Sequence, residues 1–225
     1  MTQTMPKLYQ YAVCPFCKKV EALLAYKKIP FEAIEVHPLN KKELKFSEEY
    51  KKVPIYIDTE GKQINDSTSI MRHIDADESV FDNSEKEDKW VKWADEVLVR
   101  ALPPLIYDNF RNSRKAFNYI TKVGKFSFFQ KMLIKYSGSM VMMIIAKKSA
   151  KRQNIPDPVV HFKNCLDEWG KALEDEFLNG KNLNGADIVV FGILGSIDKL
   201  PAFKYVEGNK KVFDWYKRMK NSVYN

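Results

Sequence analysis

Two cysteines separated by two residues, Cys14-Pro15-Phe16-Cys17, are the part of this chain most suited to chemistry. That spacing brings both sulfurs to one turn. The tract before it, Leu8 to Val13, reads as a strand, and Pro15 to Lys27 reads as a helix with proline at an early position and Phe16, Val20, Leu23 and Leu24 on one apolar face. A helix N-terminus offers unpaired amide hydrogens and a partial positive charge to the first sulfur. Both favour the thiolate, so Cys14 is the expected nucleophile and Cys17 its buried resolving or orienting partner. A zinc half-site is the competing use of such a pair. It would need four ligands, and Cys165, His37, His73 and His161 are scattered with no second CxxC, so no metal is expected. Tyr11, three residues before Cys14, either hydrogen-bonds a thiolate or is ordinary aromatic packing.

Two further pairs accompany the cysteines. Val53-Pro54 precedes a short apolar run. In a thioredoxin-type fold a cis bond there turns Val53 toward the active cysteine, and its exposed N–H and C=O can pair with an extended peptide. Asp66-Ser67 heads an apparent helix, whose hydroxyl and amides can hold a carboxylate while Asp66 receives an ammonium. Either residue can also simply cap that helix. A small peptide with a thiol, a carboxylate and an ammonium would use all three features, and glutathione has that inventory.

These residues must be positioned by elements. Phe31 to Val36, Pro54 to Ile57 and Lys62 to Ile64 read as strands, Lys41 to Phe46 as a short connecting helix, and Ser67 to Ile74 as a helix. Strand, helix, strand, hairpin and helix within residues 6–80 is the order of an α/β thioredoxin-like domain. Residues 81–89 are polar and read as a linker. From 90 to 225 the period is helical, so the second domain is all-α. Trp90, Trp93, Ala94, Val97, Leu98 and Ala101 share a face until Pro103-Pro104 stops or kinks it. Further helical pieces are expected around 117–123, 128–147, 159–178 and 212–223. Asn184 caps another, with Asp187 at its third position.

The chain has 225 residues, 45% hydrophobic and 29% charged, which suits a globular protein. Three cysteines cannot build a disulfide framework, and the pattern fits a reducing, cytoplasmic-type compartment. The formal charge of +8 resides entirely after residue 80. From Asn109 to Gln153 there are eleven Lys and Arg and no Asp or Glu, with aromatics interleaved. That stretch reads as a solvated basic face, a rim for an acidic ligand, or a peripheral contact with an anionic membrane. Many of the aromatics fall on helical core positions and no nucleic-acid-binding signature appears, so nucleic acid is not an expected partner. The apolar run Ser139 to Ala146 is too short to span a bilayer and reads as a buried helix, with a membrane-surface contact as the alternative. Cys165 among Phe162, Leu166 and Trp169 reads as packing.

The ordered set Cys14-Pro15-Phe16-Cys17, Val53-Pro54 and Asp66-Ser67 resembles glutaredoxins and the N-terminal domain of glutathione transferases. Tyr9-Gln10-Tyr11, Ile34-Glu35-Val36, Lys45-Phe46-Ser47, Lys51-Lys52-Val53-Pro54-Ile55 and Ile64-Asn65-Asp66-Ser67 resemble the membrane-associated prostaglandin E synthases of type 2 more closely. The likeness extends through Trp90-Val91-Lys92-Trp93-Ala94-Asp95, Gly124-Lys125-Phe126, Lys135-Tyr136, Asn182-Leu183 and Ala186-Asp187. It implies a glutathione transferase-like architecture, a homodimer formed through the helical domain, and thiol-assisted isomerisation of prostaglandin H2 to prostaglandin E2. A glutaredoxin-like oxidoreductase and a non-enzymatic haem- or lipid-binding module are the alternatives on the same fold. By position, the resemblance makes Cys14 the essential thiol, Tyr11 its neighbour, and Val53, Pro54, Asp66 and Ser67 the glutathione cradle. It also implies haem in the same cleft, with basic residues falling loosely around Lys147 to Arg152, Lys148 and Arg152 among them. Gln153 stands where that family would place a histidine.

Overall fold

A computed structural model describes residues 4–37, 40–108, 113 and 139–225, without the side chains of 139–142. The first unit is a four-stranded sheet in the order β2-β1-β3-β4, from β1 (Lys7–Gln10), β2 (Glu32–Glu35), β3 (Ile55–Ile57) and β4 (Gln63–Asn65). β1 pairs parallel with β2, and the right-handed crossover that parallel pairing demands is made by α1 (Pro15–Tyr26). β3 pairs antiparallel with both β1 and β4, and α2 (Ser67–Ile74) follows. The register aligns Tyr9 with Ile55 and Ile55 with Asn65. The exit of β1, the entry of β3 and the exit of β4 therefore lie at one end of the sheet, the end from which Cys14, Val53-Pro54 and Asp66-Ser67 continue. This is the mixed α/β unit expected of the sequence, followed by an all-helical one.

The helical unit contains α3 (Glu85–Trp93), a wide π turn (Ala94–Leu98), α4 (Val99–Ile106), α5 (Ser139–Arg152), α6 (Pro158–Ala172), α7 (Gly185–Gly195), α8 (Lys204–Glu207) and α9 (Lys210–Tyr224). Apart from Asp187, α7 is apolar, and it is buried from Gly185 to Leu194 with α1 lying against it. Gly192 makes that approach feasible, because a Cβ there would stand 2.3 Å from the Lys19 Cα. All four tryptophans, Trp90, Trp93, Trp169 and Trp215, form a contiguous aromatic cluster with ring centroids 5.0 to 6.3 Å apart. Asn184 caps α7 in a reciprocal box with Asp187, as its sequence spacing indicates. The Asp187 carboxylate also accepts from the Trp215 indole (2.8 Å) and the Leu178 amide, tying that cap to α9.

Several expectations need correction. The segment 81–89 is not a free connector, since α3 starts at Glu85 under a Ser84 cap. Phe81 is buried, and Glu87 accepts from the amides of Asn83 (2.9 Å) and Gly185 (2.8 Å), fixing α3 to the start of α7. Pro103-Pro104 does not stop its helix. Both lie inside α4, and the chain turns once more before Tyr107 donates to the Pro103 carbonyl (3.0 Å). Burial of Leu102, Pro104 and Leu105 compensates the two missing amide bonds. The helix expected to Leu178 ends at Ala172. The run expected to be buried before Ala146 leaves Ile144 and Ile145 47% and 48% exposed, with Ala146 buried. The pieces expected at 117–123 and 128–138 lie outside the described residues.

Candidate functional site

Cys14 is the N-cap residue of α1, in extended backbone, and Pro15 occupies the first helical position. Its amide donates to the Tyr11 carbonyl (2.9 Å) and its own carbonyl accepts from Lys18 (2.9 Å), closing the turn. Cys14 is half-buried, Cys17 fully buried, and both are free thiols. A hydrogen bond from the Cys17 thiol holds the Cys14 thiol below its ordinary range against the opposing effect of burial, and the amides of Cys17 and Phe16 assist. Burial pushes Cys17 well upward, and the bond to Cys14 adds to that. One sulfur is set to ionise and its neighbour to stay protonated. Lys18 is paired with Glu21 and Lys19 with Asp95, so both nearby ammoniums are held by carboxylates.

Tyr11 packs with Tyr9, Tyr50 and Val53 over the small core of Val36, Leu44 and Ile55. Burial first, then the charge of Cys14, pushes its phenol to about 12. Tyr11 therefore stays a neutral donor at physiological pH. Behind it, both Glu35 oxygens accept from the Ala12 amide (3.0 and 3.1 Å), steadying the loop that delivers Cys14. Burial raises the Glu35 carboxyl, with the Ala12 bond pulling the other way.

The Val53–Pro54 peptide is cis. Neither backbone group of Val53 is hydrogen-bonded among the described residues. Asp66 is the N-cap of α2, accepting from the amides of Thr68 (2.9 Å) and Ser69 (3.3 Å), with a left-handed φ of 70° that only glycine adopts without cost. Ser67 is 3% exposed, and its hydroxyl has no hydrogen-bond partner among the described residues. The capping role thus falls to Asp66, which takes the Thr68 and Ser69 amides and leaves the Ser67 hydroxyl and amide available.

Three features were not read from the sequence. Tyr50 packs beside Val53, and its phenol is raised by burial and then by the charge of Asp66, with both cysteines contributing. Lys19 is fully buried, and its ammonium donates to both Asp95 oxygens (2.6 and 2.8 Å) and approaches the Thr68 hydroxyl (3.4 Å). Thr68 in turn donates to Asp95 (3.2 Å). This network joins α1, α2 and the π turn of the helical unit directly beneath Ser67. Charge at Lys19 and Asp95 was visible in sequence, but their separation of 76 positions carried no periodic signal.

Residues 8–83 match the model of the glutathione S-transferase N-terminal domain. Prostaglandin E synthase 2 of Danio rerio is 30% identical over 266 aligned positions, covering 96% of this chain and 70% of the relative. Prostaglandin E synthase 2 of Mus musculus is 29% identical over 268, with the same coverages. The chain belongs to the prostaglandin E synthase 2 family, within the glutathione S-transferase superfamily. The fold agrees. A glutathione S-transferase from Rhodospirillum rubrum F11 superposes with a TM-score of 0.65 at 20% identity, covering 96% of this chain and 88% of that one. A β-etherase from Sphingobium sp. strain SYK-6 gives 0.66 at 16% identity, covering 96% and 95%.

Family membership gives a setting for the remaining residues. Lys148 and Arg152 lie exposed on α5, which packs against α4. Gln153 folds back on its own helix, its amide donating to the Ser149 hydroxyl (2.7 Å) and carbonyl (3.3 Å). Gln153 therefore does not supply the imidazole that the resemblance implies beside the haem carboxylates. No helix among the described residues is long and apolar enough to cross a membrane. No cluster of three or more metal-ligating side chains occurs among them. Cys165 is buried in α6 with its thiol pushed to about 11 by burial, and His73 is bound to Asp58 (3.1 Å).

Proposed function

We propose that this prostaglandin E synthase 2 family member is a glutathione-binding thiol enzyme whose reaction is isomerisation of an endoperoxide. The observation that carries the binding half is the unpartnered set at one end of the sheet among the described residues: the two Val53 backbone groups and the hydroxyl and amide of Ser67 at the start of α2. The cysteinyl backbone of glutathione pairs with Val53 as an added extended segment, the γ-glutamyl carboxylate takes the Ser67 hydroxyl and amide, and Asp66 faces the ammonium. Pro54 fixes the edge on which that segment lies.

The chemical half rests on Cys14 and Tyr11. The Cys14 thiolate attacks the peroxide oxygen whose carbon bears the departing hydrogen. An S–O bond forms, the O–O bond breaks, and its electron pair leaves on the second oxygen. Tyr11, neutral at physiological pH, donates a hydrogen bond to that developing alkoxide. Loss of the carbon-bound proton, taken up in turn by the alkoxide, forms the ketone and expels the Cys14 thiolate. The product is a hydroxy ketone, with no net oxidation or reduction.

Cys17 favours a second reading. A buried, protonated thiol bonded to Cys14 is what a thiol–disulfide oxidoreductase needs to resolve a mixed disulfide. Assays of Cys14→Ser and Cys17→Ser against prostaglandin H2 and against a glutathione mixed disulfide separate the two. Isomerisation lost with Cys14→Ser and retained with Cys17→Ser is the expected result. Isomerisation absent from the unaltered chain, with disulfide reduction that needs both cysteines, would establish the second reading instead.

A further inference from the structure

A cavity of about 180 Å³ lies where α1, the end of α7 and α9 meet. None of Cys14, Val53, Pro54, Asp66 or Ser67 lines it; Ala12 and Lys18, on either side of the thiol turn in sequence, do. Its charged lining consists of Lys18, Asp198, Lys199 and Lys220, with Glu21 beside Lys18. Lys18 is paired with Glu21, and Lys199 approaches Asp198 at 3.9 Å. Lys220 makes no ion pair among the described residues. The pocket thus keeps a net positive character.

The second observation is Tyr216. Its side chain is only 5% exposed, its ring is packed against Phe191 and Phe203, and its hydroxyl has no hydrogen-bond partner among the described residues. That oxygen lies against Gly195 in the cavity wall, 3.6 Å from where a Cβ would stand. The hydroxyl is not sealed off with the ring, so an occupant of the cavity can accept from it. Tyr224 lines the same cavity with its aromatic side chain. A donor hydroxyl, the unpaired Lys220 and the loosely paired Lys199 around one space are the complement of an anionic oxygen group, with Asp198 the one carboxylate in the lining. The volume holds about six waters' worth of space, enough for a phosphate or a short carboxylate and too little for a second peptide.

We propose that this cavity is a binding site for a small oxyanion, a phosphate or carboxylate group, held by Tyr216, Lys199 and Lys220 and separate from the thiol site. Its wall includes Ala12, whose amide is bound by Glu35, so an occupant would rest against the back of the loop that carries Cys14.

The test is calorimetric titration of the full chain with inorganic phosphate and, separately, with succinate, ionic strength being held constant with chloride. Saturable binding of at least one anion is expected. Tyr216→Phe keeps the packed ring and should weaken binding about tenfold, the worth of one hydrogen bond to a charged group. Lys199→Gln with Lys220→Gln should remove saturation. Phosphate alone would assign a tetrahedral group, succinate alone a carboxylate, and both an oxyanion site of either kind. No saturation by either anion, or binding that both variants leave unchanged, would overturn the proposal. Melting temperatures of the anion-free variants, matched to that of the unaltered chain, separate a lost site from a lost fold.

Discussion

Cys14 and Cys17 share one turn, yet their thiols are driven in opposite directions by where that turn places them. Cys14 sits at the cap, with amides and the second thiol toward it, while Cys17 is enclosed by the core. Because the Cys17 thiol supplies the largest stabilisation of the Cys14 thiolate, Cys17→Ala should move the midpoint of Cys14 alkylation to higher pH. The rate of iodoacetamide labelling against pH reads this directly; an unmoved midpoint would assign the effect to the helix N-terminus alone. At Ser67 the expected signature is different. Its hydroxyl holds nothing within the fold, so Ser67→Ala should weaken glutathione binding about tenfold while leaving the melting temperature unchanged. A large loss of stability in that variant would mean that Ser67 serves the structure instead. The Cys14, Val53 and Ser67 positions were legible in sequence because each stands next to a Pro or a helix start. Tyr50 was not, since an aromatic in a loop has no pattern to announce it.

At the scale of elements, α7 and its cap show how local sequence can fix tertiary structure. The spacing of Asn184 and Asp187 indicates the capping box, but not that Asp187 also accepts from Trp215 and Leu178. Burial lifts the Asp187 carboxyl to about 6, against its hydrogen bonds. A folded-state value above the unfolded one means that the folded chain binds the proton more tightly. Its stabilising effect is complete below about pH 4 and is lost as pH rises through about 6. Relative to Asp187→Asn, which cannot titrate, the unaltered chain should therefore lose up to about 3 kcal/mol of unfolding free energy between pH 4 and pH 7. Urea denaturation at the two pH values measures the difference, and a gap independent of pH would contradict the assignment. The elements that sequence reading misplaced failed for physical reasons. Pro103-Pro104 carry a strong stop signal, which packing of Leu102, Pro104 and Leu105 overrides. The π turn over Ala94–Leu98 has no compositional mark at all.

Across the whole molecule, the described residues hold the two units together by apolar packing of α1 on α7 and by the buried ionic link between Lys19 and Asp95. Lys19 lies at zero exposure and Asp95 keeps part of its side chain in contact with solvent. Removing Asp95 strands the Lys19 ammonium in the interface. Asp95→Ala should cost about 3 kcal/mol, whereas Lys19→Met combined with Asp95→Asn, which removes both charges, should cost markedly less. Equal losses in the two variants, measured by denaturant unfolding, would show that the pair is worth no more than its separate contacts. Domain order and fold class were readable from the sequence, since periodicity and the thiol turn specify them. The contact between units was not, because it is built from residues 76 positions apart.

The central claim is that Cys14, Val53, Asp66 and Ser67 form one glutathione site. A crystal structure of the full chain grown with reduced glutathione tests it most directly. The expected result places the peptide backbone of glutathione against Val53, its γ-glutamyl carboxylate on the hydroxyl and amide of Ser67, and its sulfur facing Cys14. Glutathione bound elsewhere, or a well-ordered structure at saturating glutathione with none at this end of the sheet, would contradict it.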